Sequence, residues 1–147
     1  MNKLITISGG FLLFLLLTGC PREPMPGQSL EGSSWVLLKF SIEDGSIEEP
    51  MGDKPITLKF TSGQASGTTG CNSYFATYET RKEQLHFEGI GATERFCEGL
   101  MDQEKQYMNL LQQAKTYVIR PGQLEISSQE GKLLFEKEGG EDPEQGP

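Results

Sequence analysis

The sequence predicts a mainly β fold with one helix. The expected form is a small antiparallel meander of about eight strands, curled into a barrel-like sheet, with a helix at about 99–114 plugging one opening. Three observations lead there. Apolar and polar residues alternate with period two in short runs over most of the chain. Turn residues punctuate those runs at short intervals. One window changes to the helical period.

Trp35-Val36-Leu37-Leu38-Lys39-Phe40 opens the domain as an apolar strand, with Val36, Leu38 and Phe40 expected on one face. Ile56 to Phe60 alternates cleanly, Thr61-Ser62-Gly63-Gln64 is a turn, and Ala65 to Thr69 returns as the next strand. From Asn72 to Thr80, Tyr74, Ala76 and Tyr78 are set against Phe75 and Thr77. Arg81-Lys82-Glu83 is polar, and Leu85 and Phe87 then alternate with His86 and Glu88. At Leu100 the period changes. Leu100, Tyr107, Leu111 and Ala114 share one helical face, with Met101 and Met108 beside it. Asp102 and Glu104 early, and Lys115 late, suit the helix dipole. Strand patterning resumes over Thr116 to Arg120. Pro121-Gly122 turns, Gln123 to Ser127 alternates, Glu130-Gly131 turns again, and Lys132 to Glu136 closes the domain.

The N-terminus reads as an address. Lys3 precedes an apolar stretch from Leu4 to Leu17 that Gly9-Gly10 interrupts. It is shorter than the roughly 20 residues of a spanning helix and fits a secretory signal. Leu17-Thr18-Gly19-Cys20 looks like a bacterial lipobox, in which cleavage precedes Cys20 and lipid is added to its sulfur and new amino group. Several acyl chains on one residue anchor firmly. The expected organisation is a lipoprotein signal peptide over 1–19, a Pro-rich tether over 20–29, one domain over 30–138, and an acidic disordered tail over 139–147. The expected location is the bacterial cell envelope, membrane-attached through the N-terminal lipid and facing the periplasm. Pro21 does not distinguish the inner from the outer membrane.

The 147 residues include 13 basic and 21 acidic side chains, for a net charge of −8. Loss of a leader carrying Lys3 makes the chain one unit more negative. No basic patch is available to neutralise a phosphate backbone, so a nucleic-acid partner is not expected. Anionic headgroups would repel such a domain, which leaves attachment to the lipid. Of three cysteines, Cys20 is taken by lipid and Cys71 and Cys97 remain. An even count in an oxidising compartment makes a disulfide the default, worth roughly 3–4 kcal/mol in the chain-entropy model. Two buried thiols that never meet are the alternative, because spacing alone does not establish proximity.

Gly67-Thr68-Thr69-Gly70-Cys71-Asn72-Ser73-Tyr74-Phe75-Ala76-Thr77-Tyr78 resembles the first signature of the META domain, the family of the heat-shock lipoprotein HslJ. In that signature a strand carrying G-C-N is followed by an aromatic, a small residue and a tyrosine. Gly91-Ala92-Thr93-Glu94-Arg95-Phe96-Cys97, followed by a helix, resembles the second. Gly32-Ser33-Ser34-Trp35-Val36-Leu37 resembles the family's first strand, so the likeness spans residues 30 to 137. Gly67, Gly70, Cys71, Asn72, Tyr78, Thr93 and Cys97 carry it. Ala76 stands where the family usually has Gly, and Arg95-Phe96 where Met and a small residue are commoner. A role for methionine at that site does not carry over. The resemblance implies a β-rich, barrel-like fold, residence in the envelope and a link to stress tolerance. It implies no accepted catalytic activity.

The residues themselves offer little chemistry. His86 is the only histidine and falls on the polar face of its strand, with no third group to orient it toward a cysteine. Cys71, Cys97 and His86 lack a fourth metal ligand and C-x-x-C spacing. Met101 and Met108 read as core, and Glu43-Asp44 and Glu48-Glu49 as solvated turns. Gly63, Gly67 and Gly70 match no nucleotide fingerprint and suit a bulge or close strand packing. No catalytic residue, metal or cofactor is expected. The leading reading is a monomeric, non-catalytic, lipid-anchored META/HslJ-like protein that supports the envelope under stress. The alternatives are a carrier or sensor of a small apolar ligand held in the barrel, with Tyr74, Phe75 and Tyr78 at its mouth, and an inhibitor of an envelope hydrolase acting through a loop such as 41–54.

Overall fold

The structure, a computed structural model, describes residues 29–42 and 45–139. The expectations for the signal peptide, Cys20, the tether up to residue 28, Glu43-Asp44 and the tail from residue 140 lie outside the described residues.

Strands β1 (Ser34–Ile42), β2 (Ile47–Glu48), β3 (Thr57–Thr61), β4 (Gln64–Thr68), β5 (Ser73–Arg81) and β6 (Gln84–Ala92) precede helix α1 (Met101–Gln112). Strands β7 (Ala114–Arg120), β8 (Gln123–Ser128) and β9 (Gly131–Lys137) follow it. Every pairing is antiparallel, and β9 pairs back onto β1 from Trp35↔Lys137 to Ile42↔Gly131. The result is a closed eight-stranded barrel, as the alternation predicts. Strand β2 is an addition to the end of β1 (Phe40↔Glu48, Ser41↔Ile47). Its two residues are both exposed, so it has no buried face for a pattern to reveal.

The face expected of the first strand is corrected. Trp35, Leu37 and Phe40 point into the core, while Val36 and Leu38 are only partly covered. The β1–β9 register shifts between Leu37 and Lys39. That bulge inserts one residue, so the side-chain parity flips halfway along the strand. The other strands keep their expected faces. Ile56, Leu58 and Phe60 are buried, as are Tyr74 and Ala76 against exposed Phe75 and Thr77, and Leu85 and Phe87 against exposed His86 and Glu88.

Helix α1 is shorter at both ends than the sequence suggests. Gln113 caps it, Ala114 already pairs with Ser128, and Lys115 is an exposed residue of β7. No basic residue occupies the last turn, so the dipole role read for Lys115 falls. The acidic first turn stands, with Asp102 and Glu104. The buried face is Gln103, Tyr107, Leu110 and Leu111, and Leu100 sits half-covered at the N-cap.

The barrel has two distinct ends. At the helix end lie the β4–β5 corner, the loop 93–100, α1 and the β8–β9 turn. Beside the β5–β6 turn β6 and β7 share a single ladder pair, Gln84↔Thr116; toward the helix end they part, and α1 packs against β6 and β9. At the opposite, entry end lie the incoming segment 29–33, the turns β3–β4, β5–β6 and β7–β8, and the end of β9. Glu138 N–H donates to Ser34 C=O (2.9 Å), so the domain is entered and left at that end. In the tight β3–β4 turn, Ser62 and Gly63 both have positive φ (54° and 76°), the mark of a two-residue hairpin loop. The Glu31 carboxylate clasps it, accepting from both turn amides and from the Tyr78 hydroxyl (2.6 Å). Between the ends the interior is filled: Phe40, Phe60, Phe135, Leu58, Leu124 and Ile126 are fully buried, each worth about 1.5–3 kcal/mol.

Candidate functional site

The signature residues assemble at the helix end. Gly67 lies where β4 crosses close to β3: a Cβ there would stand 1.9 Å from the Thr57 carbonyl oxygen. Gly70 supplies the positive φ of 87° that turns the chain toward β5. Across this corner Thr69 N–H donates to Asn72 C=O (2.8 Å) and Asn72 N–H to Thr69 Oγ1 (2.9 Å). Cys71 is bridged to Cys97, 26 residues on, with Cα atoms 6.0 Å apart. The disulfide ties the corner to the loop that leads into α1.

Asn72 is the hub. It is 1 % exposed, yet its amide is fully partnered. Nδ2 donates to both Glu104 carboxylate oxygens (2.9 Å each) and to the Arg95 carbonyl (3.0 Å). Oδ1 accepts from Thr93 Oγ1 (2.7 Å) and from the Arg95 amide (2.8 Å). Thr93 Oγ1 also accepts from the Ser73 amide (3.2 Å), and Thr69 Oγ1 donates to Glu104. One side chain therefore joins β5, the loop 93–95 and α1. Arg95 takes part through its main chain, so its departure from the family pattern leaves the hub intact.

Two further contacts lock the helix. Gln103, 2 % exposed, accepts from Met51 N–H (2.6 Å) and donates to Met51 C=O (3.3 Å), which pins the loop between β2 and β3. Tyr74 and Tyr107 meet hydroxyl to hydroxyl at 2.7 Å. Tyr74 donates to Thr57 C=O (2.8 Å), so Tyr107 donates to Tyr74. Burial pushes both phenols well above their ordinary ionisation range.

Outside this lattice runs an open groove of about 630 Å³. Ala92, Phe96, Met101 and Met108 form its apolar lining, and Glu94, Arg95, Glu104 and Lys105 its charged one. Phe96 is 80 % exposed. Met108 is half-covered, packed against the core as well as the groove, and the Met101 thioether accepts from the Cys97 amide (3.4 Å).

The sequence-derived set is brought together except for one member. Gly67, Gly70, Cys71, Asn72, Thr93 and Cys97 converge, whereas Tyr78 points to the entry end and bonds Glu31. That hydroxyl, followed by the Ser62 amide, holds Glu31 below its ordinary ionisation range. Burial and the Glu31 hydrogen bond push Tyr78 upward. His86 sits exposed on β6 opposite Glu79, and both cysteines are bridged to each other, so neither offers it a thiol. Among the described residues no group of three or more His, Cys, Asp or Glu is placed to hold a metal. Sequence reasoning missed Glu104 and Gln103 as structural partners. Gln103 did leave a signal: it is a polar residue four positions before Tyr107, on the apolar face. Glu104 left none beyond its suitability for a first turn.

The arrangement is one of fixation. The Cys71 thiol is in a disulfide and the Asn72 amide is saturated, so neither presents a reactive group.

No curated protein matches the chain. Among solved structures, a protein from Burkholderia xenovorans determined by NMR is similar, with a TM-score of 0.66 and 26 % identity over 76 % of this chain and 85 % of that one. A second NMR structure aligns with a TM-score of 0.54 and 18 % identity, covering 71 % of this chain and 87 % of that one. A DUF4847 family protein from Bacteroides vulgatus aligns with a TM-score of 0.52 and 12 % identity, covering 71 % and 92 %. The last two likenesses concern the fold alone. The model of the META domain matches residues 28–139, which include both signature segments and every strand. With the Gly-Cys-Asn corner, its disulfide partner and the helix-plugged barrel all in place, the chain belongs to the META domain family.

Proposed function

We propose that this protein is a non-catalytic, lipid-anchored domain of the bacterial cell envelope, held by acyl chains on Cys20, facing the periplasm and supporting the envelope under stress. The observation that carries the non-catalytic part is the saturation of Asn72, whose donors and acceptors are all engaged by Glu104, Thr93 and the Arg95 main chain. The family has no known catalytic role, which agrees with it. The anchor rests on Leu17-Thr18-Gly19-Cys20. Mass spectrometry of the N-terminal peptide from membrane-extracted protein tests it, with a triacylated or diacylated Cys20 expected. An unmodified Cys20, or a mature chain beginning elsewhere, removes the anchor.

A second reading is a carrier or sensor of a small apolar ligand. Among the described residues the barrel interior is occupied by buried side chains, and the groove beside Phe96, Met101 and Met108 is where it would bind. Native mass spectrometry of the purified protein decides this reading. A co-purifying small molecule supports it, and the mass of the lipidated protein alone counts against it.

A further inference from the structure

We propose that the entry end of the barrel lies against the bilayer and that the helix end, with its groove, points away from it. This rests on the proposed lipidation of Cys20.

The argument is one of reach. Ser29 begins the described chain at the entry end, beside the β3–β4 turn that Glu31 clasps. From Cys20 to Ser29 the polypeptide spans at most about 30 Å when fully extended. The longest strands have nine residues, which with a barrel's usual tilt makes the barrel roughly 25 Å tall. With the entry end down, any tether extension from slack to taut satisfies the attachment. With the helix end down, the tether must run the full height of the barrel and is drawn close to its limit. Few conformations of the tether meet that condition, so the inverted placement is entropically disfavoured.

Charge does not distinguish the two ends. Residues 94–105 at the helix end carry Glu94, Glu98, Asp102 and Glu104 against Arg95 and Lys105, so an anionic headgroup layer repels that end. The entry end likewise sets Arg81, Lys82 and Lys137 against Glu31, Glu83 and Glu138, so it offers that layer no net attraction. The tether, not charge, is therefore the orienting device.

The test uses the full lipidated protein on nanodiscs of phosphatidylethanolamine and phosphatidylglycerol doped with a gadolinium-headgroup lipid. Amide NMR signals of Ser62, Gly63, Lys82, Gly122 and Lys137 are expected to relax more than about tenfold faster than those of Phe96, Gly99 and Gln113, given the barrel height between them. Even relaxation, or faster relaxation at Phe96 and Gly99, overturns the orientation. Mass analysis of the same sample separates the two readings, since a chain without lipid on Cys20 removes the anchor and the orientation together. A second variant carries a flexible Gly/Ser insertion of about 20 residues between Gly27 and Gln28. The gradient between the two ends is expected to collapse. An unchanged gradient would show that the tether is not its cause.

Discussion

Asn72 can be buried at 1 % exposure because every hydrogen-bonding position of its amide has a partner. Asn72→Ala leaves Thr93, the Arg95 amide and Glu104 short of partners at once. A loss of about 3 kcal/mol is expected in urea denaturation, and a loss under about 0.5 kcal/mol would contradict the hub. Nothing local in the sequence showed this role. Its main partner, Glu104, is 32 positions away, and the same Gly-Cys-Asn run would suit an exposed turn. Glu31 gives a pH-dependent case. Its carboxyl is held below the ordinary value of 4.5 by the Tyr78 hydroxyl first and the Ser62 amide second. A lowered folded value stabilises the fold fully above that ordinary value, and the contribution is lost as pH falls through the folded one. The stability gap between wild type and Glu31→Gln should therefore be constant above pH 4.5 and narrow below it. Urea midpoints across that range measure it, and a gap that widens on acidification would refute the assignment. Because the carboxylate is solvent-exposed, the effect is small and screened by salt.

At the scale of elements, two glycines in strands separate packing that is rigid from packing that yields. A Cβ on Gly67 meets the Thr57 carbonyl oxygen at 1.9 Å, and neither backbone can retreat without breaking the β3–β4 ladder. A Cβ on Gly91 meets the Phe75 ring tip at 2.7 Å, but that ring is 64 % exposed and can rotate outward. Gly67→Ala is expected to cost more than about 3 kcal/mol and Gly91→Ala less than about 1 kcal/mol. Thermal or chemical melts of the pair decide it, and equal losses would mean that the strand contact is softer than drawn. Strand identity and most strand faces were legible because alternation is local and each strand has one buried side. The face of β1 was not, because the bulge near Leu38 shifts parity and answers to its partner β9, nearly a hundred residues downstream. The ends of α1 were misplaced for a related reason. Ala114 continues the helical pattern, but pairing with β8 takes it.

For the molecule as a whole, the disulfide and the Asn72 lattice hold the same corner by independent means. Reduction should lower the unfolding free energy by about 3 kcal/mol through the freed chain while leaving one cooperative transition. Urea melts with and without reductant test this, and loss of cooperativity on reduction would show that the bridge alone holds the barrel closed. The net charge of −8 describes the chain but not its distribution. Only the fold gathers Arg81, Lys82 and Lys137 with Glu31, Glu83 and Glu138 at one end and sets the acidic first turn of α1 at the other. By itself the sequence determined the eight barrel strands, the tight turns and the body of the helix, because periodicity and turn chemistry act over a few residues. It also supplied the family signature. The tertiary structure alone decided that β9 closes onto β1, that Gln103 and Glu104 face the corner, and that Tyr78 leaves its signature neighbours for Glu31, 47 positions away. Those contacts join segments far apart in the chain, and the geometry that brings them together exists only once the barrel has closed.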